Sequence, residues 1–243
     1  MATLRARALA GLPEVRRGDD LAALIAAAVR RPAPPERTAP PDPQPPGLAD
    51  GAVVVIAHKV VSKAEGAVVA LADVRAGARA RELAALGPSS DGRAQRDPRA
   101  IQVVLDESRE LLRAERGVLI CRTRHGFVCA NAGVDGSNAP HPDTLVLLPR
   151  DPDASARRIR ARLRELTGCT PAVLICDSFG RAWRHGQCDV AIGCAGLAPL
   201  DDWRGRADAA GRGLHATWPA IADAAAAAAD LARAKDSRQP VVV

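Results

Sequence analysis

The sequence predicts mixed sheets packed with helices, and three observations carry that expectation. Short β-branched runs such as Ala52–Ala57 and Ala172–Cys176 end at polar residues and read as buried strands. Other segments begin with a capping residue and then repeat apolar side chains at helical spacing. Hairpin-like pairs near residues 117–148 argue that the strands are not all parallel.

In chain order, Asp19-Asp20 ahead of Leu21-Ala22-Ala23-Leu24-Ile25 predicts a capped apolar helix. Pro32–Pro46 holds eight of the 19 prolines, a density incompatible with helix or central strand, and is expected to form a surface loop or remain disordered. Ala52–Ala57 should deliver His58–Lys63 to the carboxyl end of a strand. Ile101, Val104, Leu105, Leu111 and Leu112 predict a helix over Pro98–Leu112. Strands are expected at Gly117–Arg122, at Phe127–Asp135 running into a Gly-rich turn, and at Thr144–Leu148. Asp151-Pro152 supplies a cap and a first-turn proline for a helix with Ala156, Ile159, Leu163 and Leu166 facing inward. Ala172–Cys176 is the next strand, with Asp177 at its end, where open α/β sheets place ligands. A helix from about Pro219 to Lys235 and an edge strand at Pro240–Val243 complete the chain. Residues 1–243 are expected to form a single unit, or two intimately packed subdomains.

The composition, 47% hydrophobic and 26% charged over 243 residues, is that of soluble globular enzymes and binding domains. The longest aliphatic stretches, Ala52–Ala57 and Ala224–Ala229, fall far short of the roughly 20 apolar residues that cross a bilayer. The amino terminus reaches Gly11-Leu12-Pro13-Glu14 without the apolar core of a secretory signal, so a cytoplasmic location without membrane partners is expected. Six cysteines form no C-x-x-C pair and read as buried reduced thiols. The net charge of +6 suits an anionic partner. Nucleic acid is not that expected partner, because bases are commonly held by stacking and the chain has two Phe, three Trp and no Tyr.

Of 34 basic residues only Lys59, Lys63 and Lys235 are lysine, so two lysines four apart suggest a requirement for compact, flexible point charges. Two solvated surface lysines are the plainer alternative. There is no P-loop, strand-linked G-x-G-x-x-G, H-E-x-x-H or G-x-S-x-G. What remains are polar clusters at strand ends, Asp135-Gly136-Ser137-Asn138 and Asp177-Ser178-Phe179-Gly180-Arg181. Carboxylates and a hydroxyl are hard ligands suited to Mg²⁺ or Mn²⁺, and a nearby lysine could meet phosphate. Turns use the same residues for their geometry alone.

Longer blocks bear on that choice. Gly11-Leu12-Pro13-Glu14 with Gly18-Asp19-Asp20-Leu21, Lys59-Val60-Val61-Ser62-Lys63-Ala64-Glu65-Gly66, Gly126 through Asn138, Asp151 through Ala156, Asp177 through Arg184, Gly186-Gln187 and Asp189 through Gly193 occur in order along the chain. Together they resemble the coenzyme F-420 gamma-glutamyl ligase family. The resemblance implies a mixed α+β fold, a homodimer, and a GTP-dependent ligase that joins L-glutamate to the carboxylate of a deazaflavin coenzyme precursor through an acyl phosphate; the alternative is a family paralogue joining a different amine or acyl substrate. The resemblance implies that Leu12, Pro13, Glu14 and Val15 contact GTP, with His58, Lys63 and Asn138 adding to that contact; the scarcity of lysine and the position of the segment at a strand end extend the expectation, less strongly, to Lys59. The resemblance further implies that Asp135 and Asp177 hold one divalent ion, Mg²⁺ or Mn²⁺, that Ser178 holds a second, and that K⁺ is a candidate monovalent cofactor. His58, Trp218 and Ala234 depart from the pattern expected of the family.

Overall fold

Asp20 opens the first helix as the sequence predicts, its carboxylate accepting the Ala23 N–H at 3.0 Å. The helix, α1, spans Leu21–Val29 and buries Leu21, Ile25 and Val29. The computed structural model describes residues 3–31, 47–86, 96–115 and 117–243, so the expected proline-rich loop at 32–46 lies outside the described residues.

A four-stranded sheet organises the chain. Its first member, β1 (Val53–Ala57), is a run of β-branched residues buried on both faces and leads without a loop into α2 (His58–Glu65). The second is β7 (Ala172–Arg181), parallel to β1 with Val53 opposite Ala172 and Ala57 opposite Cys176. β8 (Arg184–Ala195) and β9 (Val241–Val242) run antiparallel on the two sides, giving the order β8-β7-β1-β9. Parallel and antiparallel pairs thus share one sheet, and the fold is α+β. Among the described residues two smaller sheets accompany it: β2 (Val68–Ala70) with β6 (Thr144–Val146), and β3 (Ser108–Glu115), β4 (Val118–Thr123) and β5 (Val128–Ala130) in sequence order.

Alternation along β1 and β7 decides which helices cover which face. Val54, Ile56, Val173 and Ile175 join Ile25, Val29, Ile159 and Leu163, the last two from α5 (Pro152–Thr167). On the other face, Val55, Leu174 and Cys176 meet Ala222, Ala226 and Ala229 of α6 (Ile221–Asp230), whose small side chains let the helix approach closely. A separate cluster joins α3 (Ala78–Ala85), α4 (Pro98–Glu107) and β4 through Leu83, Ile101, Val104, Leu119 and Cys121. Among the described residues no helix is long and apolar enough to cross a membrane.

Several boundaries differ from expectation for identifiable reasons. The helix expected over Pro98–Leu112 ends at Glu107, where Ser108 turns extended and its hydroxyl donates to Val104 O at 2.5 Å. Leu111 then pairs with Cys121 in the β3–β4 ladder, an interaction local periodicity does not reveal. The strand expected at Phe127–Asp135 is confined to β5, because Asn131 and Ala132 adopt φ of 52° and 54° and break it. Asp177 does not end its strand, since β7 continues to Arg181 and forms a long hairpin with β8, turning at Trp183 with φ 60°. The last helix is also shorter than Pro219–Lys235. The Asp151 cap holds, accepting Ala154 N–H at 2.8 Å, while Asp153 accepts Cys194 N–H at 2.8 Å and ties α5 to β8. At this junction only glycine fits at 193, because a Cβ there would lie 2.5 Å from the Pro152 carbonyl carbon.

Candidate functional site

Helix α2 is placed by two constraints: continuous chain from the buried strand β1, and a C-terminal stop at Gly66, which adopts φ 76°. Glu65 fastens its far end to α5, accepting from Ser155 Oγ at 2.5 Å and from an Arg158 guanidinium nitrogen at 2.6 Å. Its first two turns therefore sit rigidly at the carboxyl end of β1. Helical spacing brings Lys59 and Lys63 to one face.

Three polar residues of those turns, His58, Lys59 and Lys63, each meet a distant carboxylate. His58 is 2% exposed; its Nδ1 lies 3.3 Å from Ser62 Oγ and its Nε2 lies 3.4 Å from Asp177 Oδ1 without a hydrogen bond. Lys59 donates to Asp135 Oδ2, and also to Ser137 Oγ at 2.5 Å and Ser137 O at 3.1 Å. Lys63 is buried and donates to Glu14 Oε1 at 2.5 Å, although the Glu14 carboxylate is itself largely exposed. Asp135 and Asp177 thus meet consecutive residues of the first turn of α2.

The Asp135 loop is held from behind by paired backbone hydrogen bonds with Val146, at 3.1 and 2.9 Å. Ser137 donates its amide to Asp135 Oδ1 at 2.8 Å and its hydroxyl to Oδ2 at 2.6 Å. Burial pushes the Asp135 carboxyl up, but the Lys59 ammonium and the two Ser137 donors outweigh it and leave it below the usual carboxylate range. Asp135 is therefore an anion held beside a cation. The donor set suits a hard cation: the Lys59 ammonium already occupies a nest of carboxylate, hydroxyl and carbonyl oxygens. Among the described residues no group of three or more His, Cys, Asp or Glu side chains could hold a metal by itself. A magnesium-type ion ordinarily uses one or two carboxylates and completes its shell with phosphate oxygens and water.

Ser178 belongs elsewhere. Adjacent strand residues point to opposite faces, so Asp177 goes to the α2 side and Ser178 to the α6 side. There the Ser178 hydroxyl donates to Asp189 Oδ1 at 2.6 Å and accepts from Lys235 Nζ at 2.5 Å. Asp189 is 1% exposed and is also paired with the Arg233 guanidinium. Burial raises its carboxyl, yet the Ser178 hydrogen bond and the Arg233 charge hold it below the ordinary range. Burial pushes the neighbouring Cys176 thiol up to about 12, and burial with the nearby Asp177 charge does the same to Cys129. All six cysteines are free, in agreement with reduced thiols, but only Cys121, Cys129 and Cys176 are buried; Cys169, Cys188 and Cys194 are partly exposed, against the expectation that all six are buried.

A cleft of about 450 Å³ lies beside Lys63, lined by Glu14, Val15, Arg17, Lys63, Pro140 and His141 among others. Val15 is buried and Leu12 packs against the main core, whereas Pro13 and Glu14 are exposed. Asn138 is exposed with φ 54°, two residues before the cleft wall at Pro140. The structure therefore gathers His58, Lys59, Lys63, Glu14, Asp135 and Asp177 around α2, and leaves Ser178 to the Asp189 cluster. Sequence reasoning placed Ser137 in a candidate cluster without a role, and missed Asp189, Arg233 and the contribution of His141. For Asp189 a signal existed in the quoted block from Asp189 through Gly193, but no spacing assigned it a role.

Comparison with known proteins agrees with the resemblance noted in the sequence. The F420-0:Gamma-glutamyl ligase family matches residues 11–243. A protein of Methanopyrus kandleri named coenzyme F420:L-glutamate ligase is 42% identical over 231 residues, covering 95% of this chain and 82% of that one. Proteins with the same name from Methanothermobacter thermautotrophicus and Halobacterium salinarum are 40% and 42% identical, over 96% and 99% of this chain and 85% and 86% of theirs. With the match running almost end to end, this chain belongs to the F420-0:Gamma-glutamyl ligase family.

Proposed function

We propose that this protein is a GTP-dependent ligase that joins L-glutamate to the carboxylate of a deazaflavin coenzyme F-420 precursor, releasing GDP and phosphate. One observation carries the reading: three carboxylates distant in sequence, Asp177, Asp135 and Glu14, converge on His58, Lys59 and Lys63 in the first two turns of α2 beside a cleft. In a family whose relatives bear the name of a glutamate ligase, that arrangement suits an activated carboxylate.

Two consecutive displacements account for the chemistry. A carboxylate oxygen of the acceptor attacks the γ-phosphorus of GTP; the bond to the bridging oxygen breaks, giving an acyl phosphate and GDP. The amine of glutamate then attacks the acyl carbon, phosphate leaves, and the nitrogen loses a proton. Within this scheme Leu12–Val15 form one wall for the nucleotide, Lys63 exchanges Glu14 for phosphate, and Asn138 and His58 add polar contacts. Asp135 and Asp177 are the residues that would hold Mg²⁺ or Mn²⁺, with Ser178 assigned to a second ion. Bound there, a divalent ion would neutralise phosphate charge as the γ-phosphoryl group transfers. The burial of His58 and Lys63 supplies the low-dielectric wall that strengthens these interactions. The acting unit in this reading is a homodimer.

The purified protein is expected to consume GTP only when a divalent ion and the deazaflavin acceptor are both present, and to turn over repeatedly only when glutamate is added. With oxygen-18 in the acceptor carboxylate, one labelled oxygen should appear in the released phosphate. ATP used equally well would contradict the nucleotide assignment, and unlabelled phosphate would contradict the acyl phosphate.

A further inference from the structure

We propose that Lys59 is an internal counter-ion which a divalent cation displaces from Asp135 and which then turns to nucleotide phosphate, so that metal and nucleotide bind cooperatively through this lysine. The inference rests on the reading that Asp135 holds a metal ion, and adds to it a device built from residues outside the expected metal set.

The geometry gives the starting state. The Lys59 ammonium has three donors, and three oxygens satisfy them: Asp135 Oδ2, Ser137 Oγ at 2.5 Å and Ser137 O at 3.1 Å. Those are the oxygen types a hard divalent cation selects. The nest is preformed, because the Ser137 amide and hydroxyl both fix the Asp135 carboxylate. Two cations cannot share it, since at such separation they repel strongly. An ion arriving at Asp135 must therefore move the lysine.

The displaced ammonium then lacks a partner. The Lys59 side chain is only 20% exposed, so water replaces its lost hydrogen bonds incompletely, and an unpaired, half-buried charge is costly. A flexible four-carbon stem allows the ammonium to swing. Its helical neighbour Lys63, one turn on and on the same face, lines the cleft. Phosphate in that cleft would satisfy Lys59, and the metal would satisfy Asp135. Either ligand alone breaks the pair and leaves one partner unsatisfied, whereas both together replace every broken contact. Lys63 does not share this property, because its partner Glu14 is an exposed carboxylate outside the proposed metal set.

Calorimetric titration of Mn²⁺ into the full chain, without nucleotide, tests the first half. Lys59→Met should bind Mn²⁺ about tenfold more tightly than the unaltered protein, because the competing cation is gone, and adding Asp135→Asn should abolish that gain. Equal or weaker binding by Lys59→Met overturns the proposal while leaving Asp135 a metal ligand. Mn²⁺ binding that ignores Asp135→Asn in every background removes the metal reading itself, and the proposal with it. Lys59→Gln, neutral but able to donate to Asp135, gives the same contrast where Lys59→Met does not fold. For the second half, GTP titrated at fixed Mn²⁺ should bind Lys59→Met about tenfold more weakly than the unaltered protein. Unchanged GTP affinity would show that the freed lysine does not reach phosphate.

Discussion

Asp135→Asn or Asp177→Asn is expected to lower turnover by about 10²–10³-fold, equivalent to about 3–4 kcal/mol of transition-state stabilisation. The change preserves side-chain shape and removes the charge that would hold a divalent ion against the nucleotide. Folding should survive, because both carboxylates lie at the edge of the core: the Asp135 side chain is 46% exposed and that of Asp177 18% exposed. Steady-state turnover, with circular dichroism as the control for folding, checks the expectation. Near-normal turnover in either variant would show that the residue concerned holds no metal ion.

Arg233→Met should have the largest effect on stability, about 3 kcal/mol of destabilisation. Its guanidinium side chain is 9% exposed and pairs with Asp189, which is 1% exposed. Removing one member of such a pair leaves a buried charge uncompensated, at a cost of about 3–5 kcal/mol. The lower end is expected because Lys235 Nζ remains 3.8 Å from Asp189 Oδ1. The double variant Arg233→Met with Asp189→Leu should recover much of the loss, since an apolar pair can replace an ionic one. Urea denaturation of the single and double variants reads both quantities, and additive losses would show that the two residues do not depend on one another.

Local chemistry made the helix starts readable. Asp20 and Asp151 each announce a helix in the sequence and each accepts the expected amide hydrogen bond. β1 and the first half of β7 were equally plain, since runs of Val, Ile and Leu buried on both faces leave few alternatives. What escaped depended on partners far away in the chain. Leu111 fits a helix by spacing, but pairing with Cys121 in β4 assigns it to a strand. The polar stretch after Cys176 resembles a turn, and only its ladder with β8 makes it a continued strand.

The candidate site divides along the same line. The scarcity of lysine singled out Lys59 and Lys63, and the resemblance singled out Asp135 and Asp177. Their pairing was not visible, because Lys59 meets Asp135 across 76 positions and Lys63 meets Glu14 across 49. Nor could the sequence alone separate Asp177 from Ser178, since their opposite directions appear only once both are known to lie inside a strand.

In the function proposed here, the carboxylates and lysines around α2 serve glutamate transfer to a deazaflavin acceptor. Mass spectrometry of that acceptor, after incubation with the protein, GTP, Mg²⁺ and L-glutamate, tests it most directly. The expected product is an acceptor heavier by one or more glutamyl units, formed together with GDP and phosphate and absent when GTP is omitted. An acceptor of unchanged mass in the complete mixture, from protein that is folded and binds GTP, would contradict it.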